Sequence, residues 1–160
     1  MVAMSYVKSV LQTNEEILAI GRLHWTIYRY AILFLVVGIA LLLLWYKYAD
    51  SGGWEVIILG AAAVFGALAV VSALRAWFKR WTTEIAVTNK RIIYKRGFIW
   101  RHTAEMNMDK VASVDVDQSI LGRILNYGSV HILGTGGAHG IERLDRIAAP
   151  IALRNAIDAR

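Results

Sequence analysis

The sequence predicts an α+β membrane protein, in which a two-helix transmembrane hairpin is followed by an antiparallel β-domain with a C-terminal capping helix. Two apolar segments, about 27–47 and 54–77, each reach the roughly 20 residues that a bilayer-spanning helix needs. Beyond them the apolar residues alternate with polar ones, which is typical of strands. The predicted parts are an N-terminal cytoplasmic segment (1–26), the hairpin with a short external loop (27–80) and a cytoplasmic domain (81–160).

Two other interpretations of the apolar segments fit the sequence less well. A pair of buried helices in a soluble protein would keep one polar stripe along each helix, and neither segment has such a stripe. A secretory signal peptide would begin near the N-terminus, whereas Glu15, Glu16 and Arg22 precede the first apolar run. We therefore expect both segments to remain in the mature chain as membrane spans.

Aromatic and basic residues flank both predicted spans. Indole and phenol rings prefer the headgroup region of a bilayer, and the stretch from Trp25 to Trp45 corresponds to about 30 Å of helix, one hydrocarbon thickness. Basic residues resist translocation, so their position outside the hairpin predicts that both termini are cytoplasmic. The predicted membrane-interface anchors are Trp25, Arg29, Trp45, Trp54, Arg75, Trp77, Lys79, Arg80 and Trp81.

Small residues lie four positions apart in the second span, at Ala62 and Gly66. This spacing allows another helix to approach closely. The partner is either the first span of the same chain or a span of a second copy.

Composition excludes several classes of function. The 160 residues carry a net charge of +6, with seven basic and four acidic residues up to Trp81 and eleven and eight beyond it. Both parts of the chain thus carry a similar excess of basic residues, and in the first part the basic residues that flank the spans explain much of it. Nucleic-acid binding is therefore not indicated. The absence of cysteine excludes disulfides and Cys-based zinc sites.

The pattern after the hairpin predicts a run of strands. Residues 84–88 and 91–95 form a predicted strand pair with a tight turn between them, and Gly97 permits a second reversal. Residues 111–118 alternate cleanly, as in a half-buried antiparallel strand. Residues 16–25, before the hairpin, fit either a strand or a helical lead into the membrane. The remaining predicted strands are 98–106, 129–133 and 140–147.

Two helical segments are predicted in the same part of the chain. Ser119 is a suitable N-cap for a single helical turn, since apolar residues follow it at positions 120, 121, 124 and 125. Pro150 suits the first position of a closing C-terminal helix.

The order and spacing of these segments resemble a known family. Residues 87–94 (VTNKRIIY), 111–119 (VASVDVDQS) and 121–128 (LGRILNYG), preceded by paired apolar spans, are similar to the bacterial pleckstrin-homology-like domains, also called membrane-flanked domains. The resemblance covers most of residues 81–147. It implies a β-barrel or sandwich of two nearly orthogonal antiparallel sheets with a C-terminal capping helix, in a non-enzymatic module of the bacterial cytoplasmic membrane.

Five basic residues follow shortly after the second span. A cluster there can contact lipid phosphates, each cation contributing on the order of 1 kcal/mol near an anionic surface, and an arginine can bind a phosphate bidentately. Charged residues on strand edges also keep a domain soluble, so simple solvation is the alternative. The predicted lipid- or anion-binding residues are Lys90, Arg91, Lys95, Arg96 and Arg101.

The sequence predicts no catalytic, metal or cofactor site. The glycine-rich residues 134–140 lack the Lys-Ser/Thr ending of a P-loop, and the four histidines have no zinc-site spacing. Asp115 and Asp117 share a strand face, where solvent-exposed carboxylates are common. A nucleophile turn of the G-x-S-x-G type is absent. We therefore expect that the protein is not an enzyme.

These observations lead to a functional expectation. The chain presents a pleckstrin-homology-like domain to the cytoplasm as a protein-interaction, scaffold or anionic-lipid-sensing module, whose partners are membrane lipids and a second copy or another membrane protein. The alternatives are an accessory subunit of a membrane transporter or enzyme, and a self-assembling membrane scaffold. Against transport, residues 27–46 contain a single charge, Arg29, near one end, and residues 56–74 contain none.

Overall fold

The computed structural model describes residues 5–48, 53–97, 102–135 and 141–159. The chain divides into two compact units. We call residues 25–78 the hairpin, and residues 1–24 together with 79–160 the β-domain. The N-terminal residues therefore belong to the same unit as the C-terminal half, although the hairpin separates them in sequence.

Two short elements precede the hairpin, helix α1 (Ser5–Val10) and strand β1 (Ile17–Gly21). The strand decides between the two alternatives for residues 16–25. The hairpin itself contains a 3-10 turn (Trp25–Tyr28) and two long helices, α2 (Arg29–Tyr48) and α3 (Glu55–Thr82).

Helices α2 and α3 are long and apolar enough to cross a membrane, judged by length and composition. Only 17% and 11% of their most apolar windows are buried, whereas a core helix of a soluble protein is mostly buried. Helix α3 continues five residues past the predicted span, because neither glycine nor proline occurs between residues 67 and 82.

The two long helices approach each other closely at Gly38. A Cβ atom added there would lie 3.6 Å from Cβ of Phe65 and 3.7 Å from both the carbonyl oxygen of Ala62 and the amide nitrogen of Gly66. These are ordinary van der Waals distances, and a larger side chain would push the helices apart. Gly38 of α2 therefore faces the backbone of α3 between Ala62 and Gly66, whereas a Cβ atom added at Gly66 itself would meet nothing within 4 Å. The packing role of Ala62 and Gly66 stays a prediction.

The first sheet of the β-domain has four antiparallel strands in the order β1-β2-β3-β4. Strand β1 pairs with β2 even though the hairpin lies between them in sequence. All five residues of β2 are buried, because both of its faces are covered. Helix α1 covers one face, where Val7 packs against Ala86 and Ile93. The three strands after the hairpin are β2 (Glu84–Thr88), β3 (Arg91–Arg96) and β4 (His102–Asn107).

The second sheet follows a 3-10 turn at Met108–Lys110 and has three antiparallel strands in the order β5-β6-β7. The predicted N-cap is present, since the Ser119 hydroxyl accepts a hydrogen bond from the Gly122 amide. The C-terminal helix begins at Pro150, as predicted, and buries Leu153 and Ile157. These elements are β5 (Val111–Asp117), α4 (Ile120–Ile124), β6 (Tyr127–Gly134), β7 (Ile141–Ala148) and α5 (Pro150–Asp158).

Of the two predicted alternatives, a barrel or a sandwich, the barrel is wrong, because the two sheets remain separate. Within the described residues, one isolated bridge joins their edges, between Leu23 just after β1 and Ile147 in β7. The turn at Met108–Lys110 redirects the chain after β4, so that β5 begins a new sheet instead of extending the first. The α+β class, with two long apolar helices and antiparallel sheets, is confirmed.

Candidate anion-binding site

Strand β3 carries three of the five predicted anion-binding residues, and the pleat divides them between two faces. Successive side chains of a strand point to opposite sides, so Arg91 and Lys95 share the face of Ile93, which α1 covers. Arg96 lies on the opposite face with Tyr94. Lys90 lies in the turn before the strand, and Arg101 lies outside the described residues. The predicted residues therefore do not form one continuous surface.

Arg91 is held in a network of charged and polar partners. Its Nε lies 3.0 Å from Glu15 Oε1, and its Nη1 lies 2.8 Å from Glu105 Oε2. Nη2 donates to the carbonyl oxygen of Val10 at 2.7 Å. Every nitrogen of the guanidinium thus has an internal acceptor, which joins the N-terminal segment to β3 and β4.

The carboxylate of Glu15 is the centre of this network, and its side chain is completely buried. Burial alone would raise the pKa of Glu15, but hydrogen bonds from Arg91, the Gln12 amide and the Thr88 hydroxyl stabilise the charged form and lower the pKa to about 2. Glu15 is therefore ionised at physiological pH and neutralises most of the charge of Arg91.

The two lysines near Arg91 and Arg96 also have partners inside the protein. The Nζ of Lys90 donates to the carbonyl oxygen of Thr13 at 3.0 Å. The Nζ of Lys95 lies 3.6 Å from Glu84 Oε1, its cross-strand neighbour. Lys90 therefore faces the N-terminal segment, and Lys95 faces the start of β2.

Arg96 belongs to a different environment, a cleft between the two sheets of the β-domain. The apolar floor of this cleft comes from both sheets and includes Ile85 and Leu144. Three cations and one carboxylate line it, so its charge is positive. These charged residues are Lys79, Arg96, Arg143 and Asp145, and we call the group the basic cleft.

Polar contacts inside the basic cleft leave its positive charge only partly balanced. Arg143 Nε lies 2.8 Å from Asp145 Oδ1, and the Ser129 hydroxyl donates to the same oxygen at 3.0 Å. Lys79 lies within electrostatic range of Arg96, Arg146 and Asp145. In the part of the chain that the structure describes, no carboxylate forms an ion pair with Arg96.

An irregularity in β7 shapes one wall of the basic cleft. Between Gly128 and Val130 of β6, the pairing partners on β7 are Ile147 and Leu144, so β7 contains one extra residue there, and a second follows between the partners of Val130 and Ile132. Arg146 has a φ of 57°, a left-handed conformation that is uncommon for a residue with a side chain. Such a bulge re-aims neighbouring side chains. It allows the consecutive residues 143, 144 and 145 all to line the cleft.

His24 lies where the chain passes from the β-domain into the hairpin. Its ring stacks on Tyr127 with centroids 5.2 Å apart. Burial lowers the pKa of His24, and the positive charge of Arg80 lowers it further. The residues before and after the hairpin are therefore close enough to interact, on the β-domain side.

Most of the remaining predicted anchors lie at or near the ends of the long helices, but α3 continues to Thr82, so Arg75 and Trp77 lie about two turns and one turn before its end. Trp54 and Trp77 are more than half exposed, and Arg29 donates to the Tyr30 hydroxyl at 3.0 Å while stacking over the same ring. Their role as membrane-interface anchors stays a prediction. Among the residues that the structure describes, no group of three His, Asp or Glu side chains is placed to hold a metal ion.

Sequence reasoning found Arg96 and assigned Lys79 another role, but missed Arg143 and Asp145. Residues 141–148 alternate poorly, and the extra residue that disturbs the pattern is the bulge itself. A run of charges inside a predicted strand (ERLDR) was the available signal. Only the pairing of distant strands brings it next to Arg96.

Comparison with known proteins supports the family resemblance. Residues 16–160 match the sequence model of the family described as a bacterial PH domain. The match begins just before β1 and includes the hairpin, in agreement with a domain whose first strand precedes the apolar helices. No curated protein and no solved structure matches the chain.

Proposed function

We propose that this chain, which belongs to the bacterial PH domain family, is a non-enzymatic membrane module whose β-domain binds anionic lipid headgroups at the cytoplasmic face of the bacterial inner membrane. The observation that carries the proposal is the basic cleft, in which three cations converge around one carboxylate. The hairpin holds the β-domain at the membrane surface, where the basic cleft binds the lipid headgroups.

The position of Lys79 connects the cleft with the membrane. Lys79 follows directly after residue 78, the last residue of the hairpin, and lies in the last turns of α3. The predicted span ends at residue 77, and two residues of helix rise about 3 Å. A lining cation at that point is expected at the depth of lipid phosphates.

The exposed apolar surface of the hairpin supports a bilayer as its environment. Leu43 and Val56 are 65% and 80% exposed, and side chains like these continue along both helices. Such a surface is unfavourable in water and is expected for helices in lipid. The basic residues outside the hairpin favour cytoplasmic termini, which would place the β-domain on the cytoplasmic side.

The chemistry of the basic cleft fits a phosphate group. An arginine guanidinium matches the geometry of phosphate oxygens and binds them bidentately, while a lysine adds a compact charge. Arg96 and Arg143 would supply the first kind of contact, and Lys79 the second.

The test measures lipid selectivity of the full chain in nanodiscs that contain phosphatidylcholine and phosphatidylglycerol. Spin-labelled versions of each lipid report which one is retained beside the protein. A double variant, Lys79→Gln with Arg96→Gln, is compared with Lys110→Gln with Arg154→Gln, which removes the same charge from exposed positions outside the cleft.

We expect the cleft variant to lose its preference for phosphatidylglycerol several-fold and the control variant to keep it. Equal losses in both variants would mean that net charge alone attracts the lipid. An unchanged preference in both would remove lipid headgroups as the ligand and would favour a protein partner.

A further inference from the structure

Among the described residues of the β-domain, helix α4 carries the most exposed apolar side chains. Ile120, Leu121 and Ile124 are 80%, 63% and 73% exposed, and Leu125 directly after the helix is 39% exposed. These four residues occupy one short turn, and we call them the apolar tip. Isolated exposed leucines are normal on a soluble surface, but a cluster of this density usually marks a contact site.

The apolar tip is held on a rigid support. The Ser119 hydroxyl caps the helix, and the Gln118 side-chain amide donates to the carbonyl oxygen of Tyr127 at 3.2 Å. A Cβ atom at Gly122 would lie 2.6 Å from that same oxygen, so only glycine allows the turn to pack this closely. The Gly122 side of α4 thus packs against the domain, and the apolar side chains project away from it.

The apolar tip lies beside the place where the chain leaves the β-domain for the hairpin. His24 stacks on Tyr127 and forms a hydrogen bond with the backbone of Leu125. His24 directly precedes the hairpin, and Arg80, which follows it, is close enough to influence the pKa of His24. The first connection to the apolar helices therefore lies next to the C-terminal end of α4, and the second, at Arg80, lies within electrostatic range of His24.

The charges around the apolar tip favour an anionic surface. Residues 118–128 contain one basic residue, Arg123, and no acidic residue. Arg80 adds a second positive charge nearby. A convex apolar turn with flanking cations matches the lipid interface, where apolar groups enter the acyl boundary and cations meet phosphates.

From these observations we propose that the apolar tip inserts into the cytoplasmic leaflet, as a second membrane contact besides the hairpin. The inference rests on the proposed membrane function of the hairpin. A second copy of the chain fits the tip less well, because a stable protein interface buries roughly 800 Å² on each partner and involves about 20 residues, far more than four side chains on one turn.

Insertion of the apolar tip would fix the orientation of the β-domain. Without it, the β-domain is joined to the spans by two chain connections alone. Insertion of the tip would restrict the tilt of the domain and hold the basic cleft, whose lining includes Leu23 and Lys79 next to those connections, against the headgroups.

The absence of cysteine from the chain makes a direct test simple. Three full-length variants each carry one fluorophore on an introduced cysteine: Ile124→Cys in the apolar tip, Leu43→Cys in α2, and Ser113→Cys, an exposed position in β5. Ser113 is six residues before Ser119, roughly 20 Å along an extended chain. Vesicles containing phosphatidylglycerol and nitroxide-labelled lipid then report which label contacts the bilayer.

We expect quenching at position 124 to be several-fold stronger than at position 113 and comparable with that at position 43. Strong quenching at position 43 with none above the Ser113 control at position 124 would overturn the proposal while leaving the membrane hairpin intact. Absence of quenching at position 43 would overturn the proposed function itself, and with it this inference. Disulfide cross-linking of unlabelled Ile124→Cys between copies would assign the tip to a protein interface and overturn insertion.

Discussion

The two ends of strand β3 carry arginines with opposite surroundings. Arg91, at the start, contacts the carboxylates of Glu15 and Glu105 and a backbone carbonyl, and only 13% of its side chain is exposed. Arg96, at the end, lies in the basic cleft with Lys79 and Arg143. The one carboxylate of the cleft, that of Asp145, already contacts Arg143. The first arginine belongs to an internal ion-pair network, and the second is the one that we propose binds an external anion.

This difference shows that the role of a basic residue depends on which carboxylates the fold brings to it. Glu15 lies 76 residues before Arg91 in sequence. It reaches Arg91 because β1 pairs with β2 across the hairpin and carries the N-terminal segment back to the sheet. Among the described residues no carboxylate forms an ion pair with Arg96, and this is why we propose Arg96 as a ligand-binding residue.

The largest effect is expected when Arg91 is truncated. Arg91→Ala leaves the buried carboxylate of Glu15 without its cation, and such a loss typically destabilises a protein by about 3–5 kcal/mol. Urea unfolding of the full chain in detergent, followed by amide exchange in β2 and β3, measures it. Arg96→Ala is the matched control, with a change within about 0.5 kcal/mol. Equal destabilisation by both would contradict the contrast between the two ends.

Lowering the pH should reduce the free energy of unfolding, because protonation of Glu15 removes its ion pair with Arg91. The pKa of Glu15 is about 2 in the folded protein against an ordinary value near 4.5, so its contribution to stability is complete above about pH 4.5 and is lost as the pH falls towards 2. Unfolding measured between these pH values should show a smaller slope in Glu15→Gln. If the variant keeps the wild-type slope, another carboxylate is responsible for the acid sensitivity.

A smaller effect, on lipid retention, is expected when the carboxylate near Arg96 is removed. Asp145→Asn removes the one carboxylate of the basic cleft and frees Arg143, so phosphatidylglycerol retention in nanodiscs should rise by roughly fivefold, equivalent to about 1 kcal/mol. Asp158→Asn is the control, because Asp158 forms a similar exposed ion pair with Arg154 outside the cleft. An equal rise in both variants would point to net charge instead of the cleft.

The smallest effect is expected at the turn before β3. Lys90→Ala removes an exposed cation whose Nζ contacts only a backbone carbonyl among the described residues. The unfolding free energy should change by no more than about 0.5 kcal/mol, and lipid retention should stay at the wild-type level. A large loss of phosphatidylglycerol preference would mean that the anion-binding site lies at the turn between β2 and β3 instead of in the basic cleft.

Local patterns in the sequence determined most of the elements of this protein. Long apolar segments, with one charge in residues 27–46 and none in residues 56–74, predicted α2 and α3. Alternation predicted β2, β3 and β5, and the Ser119 cap and Pro150 located α4 and the start of α5. Each of these signals lies within a few residues of the element it specifies. They depend on backbone geometry and side-chain period, which neighbouring residues control.

Only the tertiary structure decided how distant elements meet. The pairing of β1 with β2, the neutralisation of Arg91 by Glu15, the separate sheets and the grouping of Lys79, Arg96 and Arg143 all join residues far apart in sequence. The alternation of side chains along a strand determines which residues share a face, but it does not determine which strand lies beside it. For that reason the five basic residues of one predicted surface separate into an internal ion-pair network, lysine contacts and an open cleft, with Arg101 outside the described residues.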